Sequence, residues 1–251
     1  MTRVQTCALP IYANLNPPCF GSFAGTCYPL PTTPTTQNHA TYSSLPTGCT
    51  GTATAPAQCD IPPSTTVTLN PGIYYGGLTI RGTAIFTPGV YIIAGSYTQG
   101  PNQIAFDMST GNANSSGGGI MIYSTNDPEP GCTGAACGYG QSSLGNGGAG
   151  TGMSASTVTT DYYYGVSFYQ DRNNTQPITL VGATSGAFNW AGSIYAPNAQ
   201  VSVLNNTNFT VGGLLVAKSL TLSGGSNLVV SPLQDVSPTG LRYNVIAWKD
   251  F

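Results

Sequence analysis

The phrase Leu69-Asn70-Pro71-Gly72-Ile73-Tyr74 returns seventeen residues later as Phe86-Thr87-Pro88-Gly89-Val90-Tyr91. In each copy the Pro-Gly pair supplies a fixed φ and a permissive glycine for a tight turn, and a β-branched residue followed by Tyr begins a strand. A turn-then-strand unit repeated at so short a period cannot close its own core, so successive copies must stack as rungs of a β-solenoid. Short apolar strands behind a leading glycine continue the pattern: Gly119-Ile120-Met121-Ile122-Tyr123, Gly165-Val166-Ser167-Phe168-Tyr169, Gly192-Ser193-Ile194-Tyr195 and Gly212-Gly213-Leu214-Leu215-Val216. Ala199-Gln200-Val201-Ser202-Val203 matches Lys218-Ser219-Leu220-Thr221-Leu222 nineteen residues on, which sets one rung at about 20 residues. Apolar and small polar residues alternate in these strands, so one face packs inward and the other meets water.

Only 6% of residues are charged, against about a quarter in an ordinary soluble domain. No uninterrupted run reaches the ten to twelve residues that an amphipathic helix needs. The expected fold is therefore all-β, a single-stranded parallel β-helix over residues 66–251, right-handed by the general chirality of β connections. A formal charge of −2 excludes the basic footprint of a nucleic-acid binder.

Val4-Gln5-Thr6-Cys7-Ala8-Leu9-Pro10-Ile11 reads as the translation of a sequencing-adapter oligonucleotide, so residues 1–11 are set aside. That leaves the natural start open, and any membrane anchor would lie upstream of it. Six cysteines then remain, Cys19, Cys27, Cys49, Cys59, Cys132 and Cys137, an even number that suits three disulfides. Cys132 and Cys137 are expected to close locally, and the other four to staple an irregular Pro/Thr-rich segment at 12–65 whose own core is thin. Zinc is disfavoured, because no pair has the spacing of a structural site and the single histidine, His39, lies in polar coil. Disulfides imply an oxidising location outside the cytoplasm.

Residues 126–160 are rich in Gly, Ser and Asn with little apolar periodicity, and read as a long loop inserted between two halves of the solenoid. Tyr74, Tyr75, Tyr91, Tyr162, Tyr163 and Tyr164 allow two readings: an exposed ladder that stacks on sugar rings or a partner protein, or packing at the edge of the core. Serine-histidine chemistry would need a positioned base, and His39 is poorly placed for it. Glycoside hydrolysis would need two carboxylates within about 10 Å, for which Asp161 and Asp171 are the nearest pair, although their spacing is not one rung. A lyase would want clustered acids, but Asp60, Asp107, Asp127, Glu129, Asp161, Asp171, Asp235 and Asp250 are scattered singly. Asp171-Arg172 is an ion-pair candidate whose structural reading is a polar turn. No catalytic residue, metal or cofactor is assigned.

The segments Leu69 to Ile80, Pro88 to Gly95, Gly165 to Asn173 and Gly192 to Val203 occur in an order that resembles the C-terminal β-solenoid region of TadE/TadG-like proteins, the tight-adherence (Flp) pilus-assembly surface proteins of bacteria. The similarity covers roughly residues 65–232. It implies a structural or adhesive role at the bacterial cell surface or envelope, with a glycan or an envelope or pilus protein as partner and no enzymatic activity. Two rivals remain, a carbohydrate-active enzyme and an ice-binding solenoid. A groove of convergent carboxylates would favour the enzyme, and a face lined with Thr, Asn and Tyr would favour the adhesive module. Ice binding would need threonines aligned rung upon rung, which Thr79, Thr83 and Thr221 are not expected to provide. The tail Leu241 to Trp248 is apolar enough for a last strand, a cap or a docking segment.

Overall fold

A computed structural model describes Pro17 and residues 49–115, 119–127, 132–145, 153–157, 163–182, 187–204 and 208–231. The chain is an all-β parallel β-helix, with no α-helix among the described residues. The first rung runs through β1 (Cys59–Ile61), β2 (Thr66–Leu69) and β3 (Gly72–Tyr75), and the second through β4 (Leu78–Ile80), β5 (Thr83–Phe86) and β6 (Gly89–Ala94). The third begins with β7 (Tyr97–Gln99), hairpin partner of β8 (Asn102–Asp107), and continues through β9 (Asn112–Ser115) and β10 (Ile120–Thr125). The fourth contains β11 (Gln141–Gly145) and β12 (Val166–Gln170). Next come β13 (Ile178–Val181), β14 (Ala187–Trp190) and β15 (Ser193–Val203), then β16 (Asn208–Val211), β17 (Leu215–Leu222) and β18 (Asn227–Val230).

These strands stack in parallel on three faces. Face 1 holds β1, β4, β8, β11, β13 and the second halves of β15 and β17. Face 2 holds β2, β5 and β9, then β14, β16 and β18. Face 3 holds β3, β6, β10, β12 and the first halves of β15 and β17. Each of the two long strands bends across a corner, with the register of their pairing shifting between Ala196 and Gln200.

Pairing follows the sequence repeats closely. Leu69 lies opposite Phe86 and Val201 opposite Leu220, as their offsets require. The repeated phrase slips by two residues on face 3, where Gly72 rather than Tyr74 pairs with Tyr91. Gly89 (φ 141°) sits so close to Pro71 that a Cβ there would come within 2.3 Å of the proline ring. A slip of two preserves the pleat, so both tyrosines still point inward, with ring centres 6.1 Å apart.

The interior is a continuous apolar column, including Ile80, Phe86, Tyr91, Phe106, Ile122, Phe168, Leu180, Trp190, Val201 and Phe209. Fully burying one such side chain contributes about 1.5–3 kcal/mol, and here each contributes to a neighbouring rung as well as its own. The Trp190 indole N–H is satisfied by Ser167 Oγ.

Two boundaries differ from the sequence reading. The stack begins at β1, inside the segment expected to be irregular, and the Cys49–Cys59 disulfide ties the preceding chain to it. The stretch read as one long loop also contributes β11, which pairs with β8 on one side and β13 on the other. That strand, Gln141-Ser142-Ser143-Leu144-Gly145, has a single large apolar residue, too sparse for a periodicity signal. Cys132–Cys137 is bonded locally, as its spacing suggests, and encloses a 3-10 turn at Ala135–Cys137. This turn docks on the corner after β6 through Ser96 N–H to Ala136 O at 2.9 Å. The left-handed Gly95 (φ 81°) makes room, because a Cβ there would lie 2.2 Å from the Ala136 oxygen. Cys19, Cys27, His39 and the tail Leu241 to Trp248 lie outside the described residues.

Candidate functional site

Of the tyrosines singled out as a binding ladder, none of the described ones is fully exposed. Tyr74, Tyr75, Tyr91 and Tyr163 are all buried, and Tyr164 is partly so. The burial of these four removes them as stacking platforms, while Tyr162 lies outside the described residues. The reason is parity after the Pro-Gly turn, since the second residue past the glycine faces inward. There the Tyr74 hydroxyl donates to Asn70 O at 2.6 Å, and the Tyr91 hydroxyl is shared between Thr87 O at 2.7 Å and Leu69 O at 2.8 Å. Each tyrosine thus clamps the turn that precedes it, which explains the recurring phrase without a ligand.

A different tyrosine ladder does exist. On the outer side of face 3, register aligns Ile73, Ile92, Tyr123, Tyr169, Tyr195 and Val216 in one column. Tyr123 and Tyr169 meet edge to face at 5.4 Å, and Tyr169 and Tyr195 at 4.9 Å. The signal was present in the sequence, because each of these tyrosines ends one of the glycine-led strands. Together with Tyr75, Ala94, Met121, Tyr163 and Val166 they form a second apolar cluster, outside the helix interior.

Asp171 and Arg172 close the edge of this ladder. Asp171 Oδ2 accepts from Tyr123 Oη at 2.6 Å and from Thr125 Oγ1 at 3.0 Å, while Oδ1 accepts the Asn173 N–H at 2.8 Å. Arg172 Nε donates to Tyr195 Oη at 3.0 Å, and its guanidinium lies 5.7 Å from that ring's centre. Burial, then the Asp171 charge, pushes the Tyr123 hydroxyl far above the ordinary tyrosine range. Tyr139 is pushed up to about 12, first by burial and then by Asp171. With both oxygens engaged by internal donors, Asp171 is a joint between rungs; Asp161 lies outside the described residues.

Asp171→Asn should therefore cost about 1.5–3 kcal/mol, the scale of hydrogen bonds to a charged group. Arg172→Ala should cost less than about 1 kcal/mol, the scale of an exposed cation–π contact. Urea unfolding of both variants checks the order, and an Arg172→Ala cost equal to or above that of Asp171→Asn contradicts this assignment.

Elsewhere the outer surfaces are polar. On face 1 one column reads Asp60, Thr79, Asp107, Ser143, Thr179, Ser202, Thr221. Thr79 and Thr221 share this column, but Asp and Ser interrupt it and Thr83 lies on face 2, so these threonines are not aligned rung upon rung. Asp60 and Asp107 flank Thr79 two rungs apart, roughly 10 Å at the usual strand spacing. Asp60 is held by both Nε and Nη2 of Arg81, and Asp107 Oδ1 accepts the Ser109 N–H at 2.9 Å. The Thr79 hydroxyl donates to Tyr97 Oη at 2.7 Å. Face 2 presents Thr66, Thr83 and Asn112 in one column, and Asn208 and Asn227 in another, with Thr68 and Asn189 beside them. Its strands carry no charged residue. Among the described residues, no group of three or more His, Cys, Asp or Glu side chains could hold a metal ion. No known protein family, curated protein or solved structure matches the chain.

Proposed function

We propose that this chain is a non-catalytic structural and adhesive module of a bacterial cell surface or pilus, which binds a neutral, hydroxyl-rich polymer such as a glycan along face 2. The observation that carries this reading is the uncharged set of Thr and Asn side chains that face 2 turns outward at the rung spacing of about 4.8 Å, exposed at Thr66, Thr68, Asn189, Asn208 and Asn227 and half-buried at Thr83 and Asn112, with Ile85 and Val229 beside them. Side chains that both donate and accept at a fixed repeat suit a polymer whose hydroxyls also repeat, and offer nothing that polarises a bond. The disulfides support an exported location. The resemblance of the strand phrases to TadE/TadG-like proteins supports the pilus-associated setting.

The test is retention of the full chain on arrays of glycans and envelope polymers, with product analysis of each retained spot. Retention should be nearly independent of salt, since few charges take part. The double variant Asn189→Ala/Asn208→Ala should weaken it about tenfold, which corresponds to about 1.4 kcal/mol. No retention on any polymer would refute the reading. Shortened oligosaccharides would replace it with a carbohydrate-active enzyme, and Asp60 and Asp107 would become the carboxylates to substitute.

A further inference from the structure

The third rung carries a feature that the core does not need. Before β8 the chain runs out through β7 and returns at Gly100 (φ 59°), making the single antiparallel pair among the described strands. Thr98, Gln99, Gly100, Pro101 and Asn102 are exposed, and β7 gives no residue to the apolar column. The hairpin is nevertheless braced, since Gln103 accepts from Ser96 Oγ at 3.1 Å and donates to Thr98 Oγ1 at 2.9 Å. Ordering exposed residues costs conformational entropy with no hydrophobic gain in return. What the brace holds in place is Tyr97. Its half-buried ring lies along the backbone of Gly77 (φ 94°), where a Cβ would come within 2.9 Å of Tyr97 Cδ1.

The polar atoms around Tyr97 form a chain with a direction. Gln58 Nε2 donates to Thr79 Oγ1 at 2.8 Å, and Thr79 Oγ1 donates to Tyr97 Oη at 2.7 Å. The phenol proton is left over, with no acceptor among the described residues. Burial, opposed by the bond from Thr79 and reinforced by the charges of Asp107 and Asp60, raises this hydroxyl, so the proton stays on it. One rung on from Thr79, about 4.8 Å away, Asp107 uses Oδ1 for the Ser109 N–H and leaves Oδ2 without a partner among the described residues. One rung back, Asp60 is occupied by Arg81. A spare donor beside a spare acceptor fits a group that accepts and donates at once, which is a hydroxyl. An anion would be repelled by Asp107, and an ammonium group cannot accept from the phenol. We propose that Tyr97, Asp107 and Gln58 form a sugar-binding site on face 1 that takes one neutral hexose unit, with one sugar hydroxyl accepting from Tyr97 Oη and donating to Asp107 Oδ2. Gln58 Oε1 takes the proton of a neighbouring hydroxyl. The site shares its ligand class with face 2 and none of its residues.

The test is saturation-transfer NMR of the full chain with the methyl glycosides of glucose, galactose and mannose, titrated into the millimolar range. At least one should bind. Tyr97→Phe keeps the ring on Gly77 and removes only the hydroxyl, and it should weaken that binding about three- to tenfold, the scale of one hydrogen bond. Asp107→Asn should weaken it by a similar factor, because an amide nitrogen replaces the outward acceptor. The double variant Asn189→Ala/Asn208→Ala should bind these glycosides as the parent does, which separates this site from face 2. Circular dichroism and urea midpoints check that each variant folds. No binding of any of the three glycosides overturns the proposal, as does unchanged affinity in Tyr97→Phe. Tighter binding of protonated glucosamine than of methyl glucoside would overturn it as well, since the site would then be selecting a cation.

Discussion

Replacing Phe168 by Ala should remove about 3–5 kcal/mol of stability, the usual cost of emptying a buried phenylalanine site. Phe168 points into the helix from face 3, between Ile122 of the rung before and Ile194 of the rung after. It has no exposure, and its ring lies 6.4 Å from Phe106 and 6.4 Å from Trp190. The backbone around it is fixed by ladder hydrogen bonds on two sides, so the cavity cannot collapse at low cost. A loss of that size is a large part of the total stability of a domain, about 5–15 kcal/mol. Its position adds a second consequence. In a solenoid each rung touches only its neighbours, so the cavity weakens the coupling between the rungs before β12 and those after it. Hydrogen exchange should show β15–β18 losing protection together, ahead of β3–β6. Phe168→Leu, which keeps most of the volume, should cost less than about 1.5 kcal/mol. A Phe168→Ala variant within about 1 kcal/mol of the parent in urea unfolding would mean that the aromatic column is not continuous here.

The same column shows how far the sequence could be read. Strands with period-two alternation and a dominant apolar parity, such as Val201-Ser202-Val203 against Leu220-Thr221-Leu222, declare both their face and their partner, and the structure pairs them accordingly. β11 could not be found this way, since Ser142 packs inward beside Leu144 and small buried hydroxyls look like solvent-facing ones. The tyrosines failed for a related reason. Tyr is amphipathic, and its sequence position does not say whether the hydroxyl meets water or a turn carbonyl; Tyr74 and Tyr91 meet carbonyls. Tyr123, Tyr169 and Tyr195 become a ladder only when the rungs are superposed across insertions of different length, which needs the three-dimensional register. Offsets between paired residues grow from 17 between Thr66 and Thr83 to 46 between Ile122 and Phe168. A fixed period finds the short rungs and misses the long ones.

Those inward and ladder tyrosines also predict how the protein responds to alkali. Burial, opposed only in part by hydrogen bonds to Thr87, raises the Tyr91 hydroxyl well above the ordinary range; burial and then Asp171 raise that of Tyr123 further. Ionising Tyr91 would set a phenolate against the carbonyl oxygens of Leu69 and Thr87. Ionising Tyr123 would set it against a carboxylate 2.6 Å away. The folded chain therefore holds both protons more tightly than the unfolded chain does. Below the ordinary tyrosine value near 10 both states are protonated and the stabilisation is fully present. As pH rises past that value the unfolded state releases its protons first, and stability falls by about 1.4 kcal/mol per pH unit for each tyrosine. Two such groups together remove nearly 3 kcal/mol per unit, so unfolding should set in between roughly pH 11 and 12. Urea midpoints taken from pH 8 to about 11 should be level and then drop, and the tyrosinate absorbance contributed by Tyr91 and Tyr123 should appear only together with loss of the β-sheet circular dichroism. Tyr91→Phe should roughly halve the slope above pH 10, because a side chain without a hydroxyl releases no proton on unfolding. Ionisation of Tyr91 and Tyr123 near pH 10, with the sheet signal intact, would mean that these hydroxyls are open to water and that their bonds to Leu69, Thr87 and Asp171 do not hold.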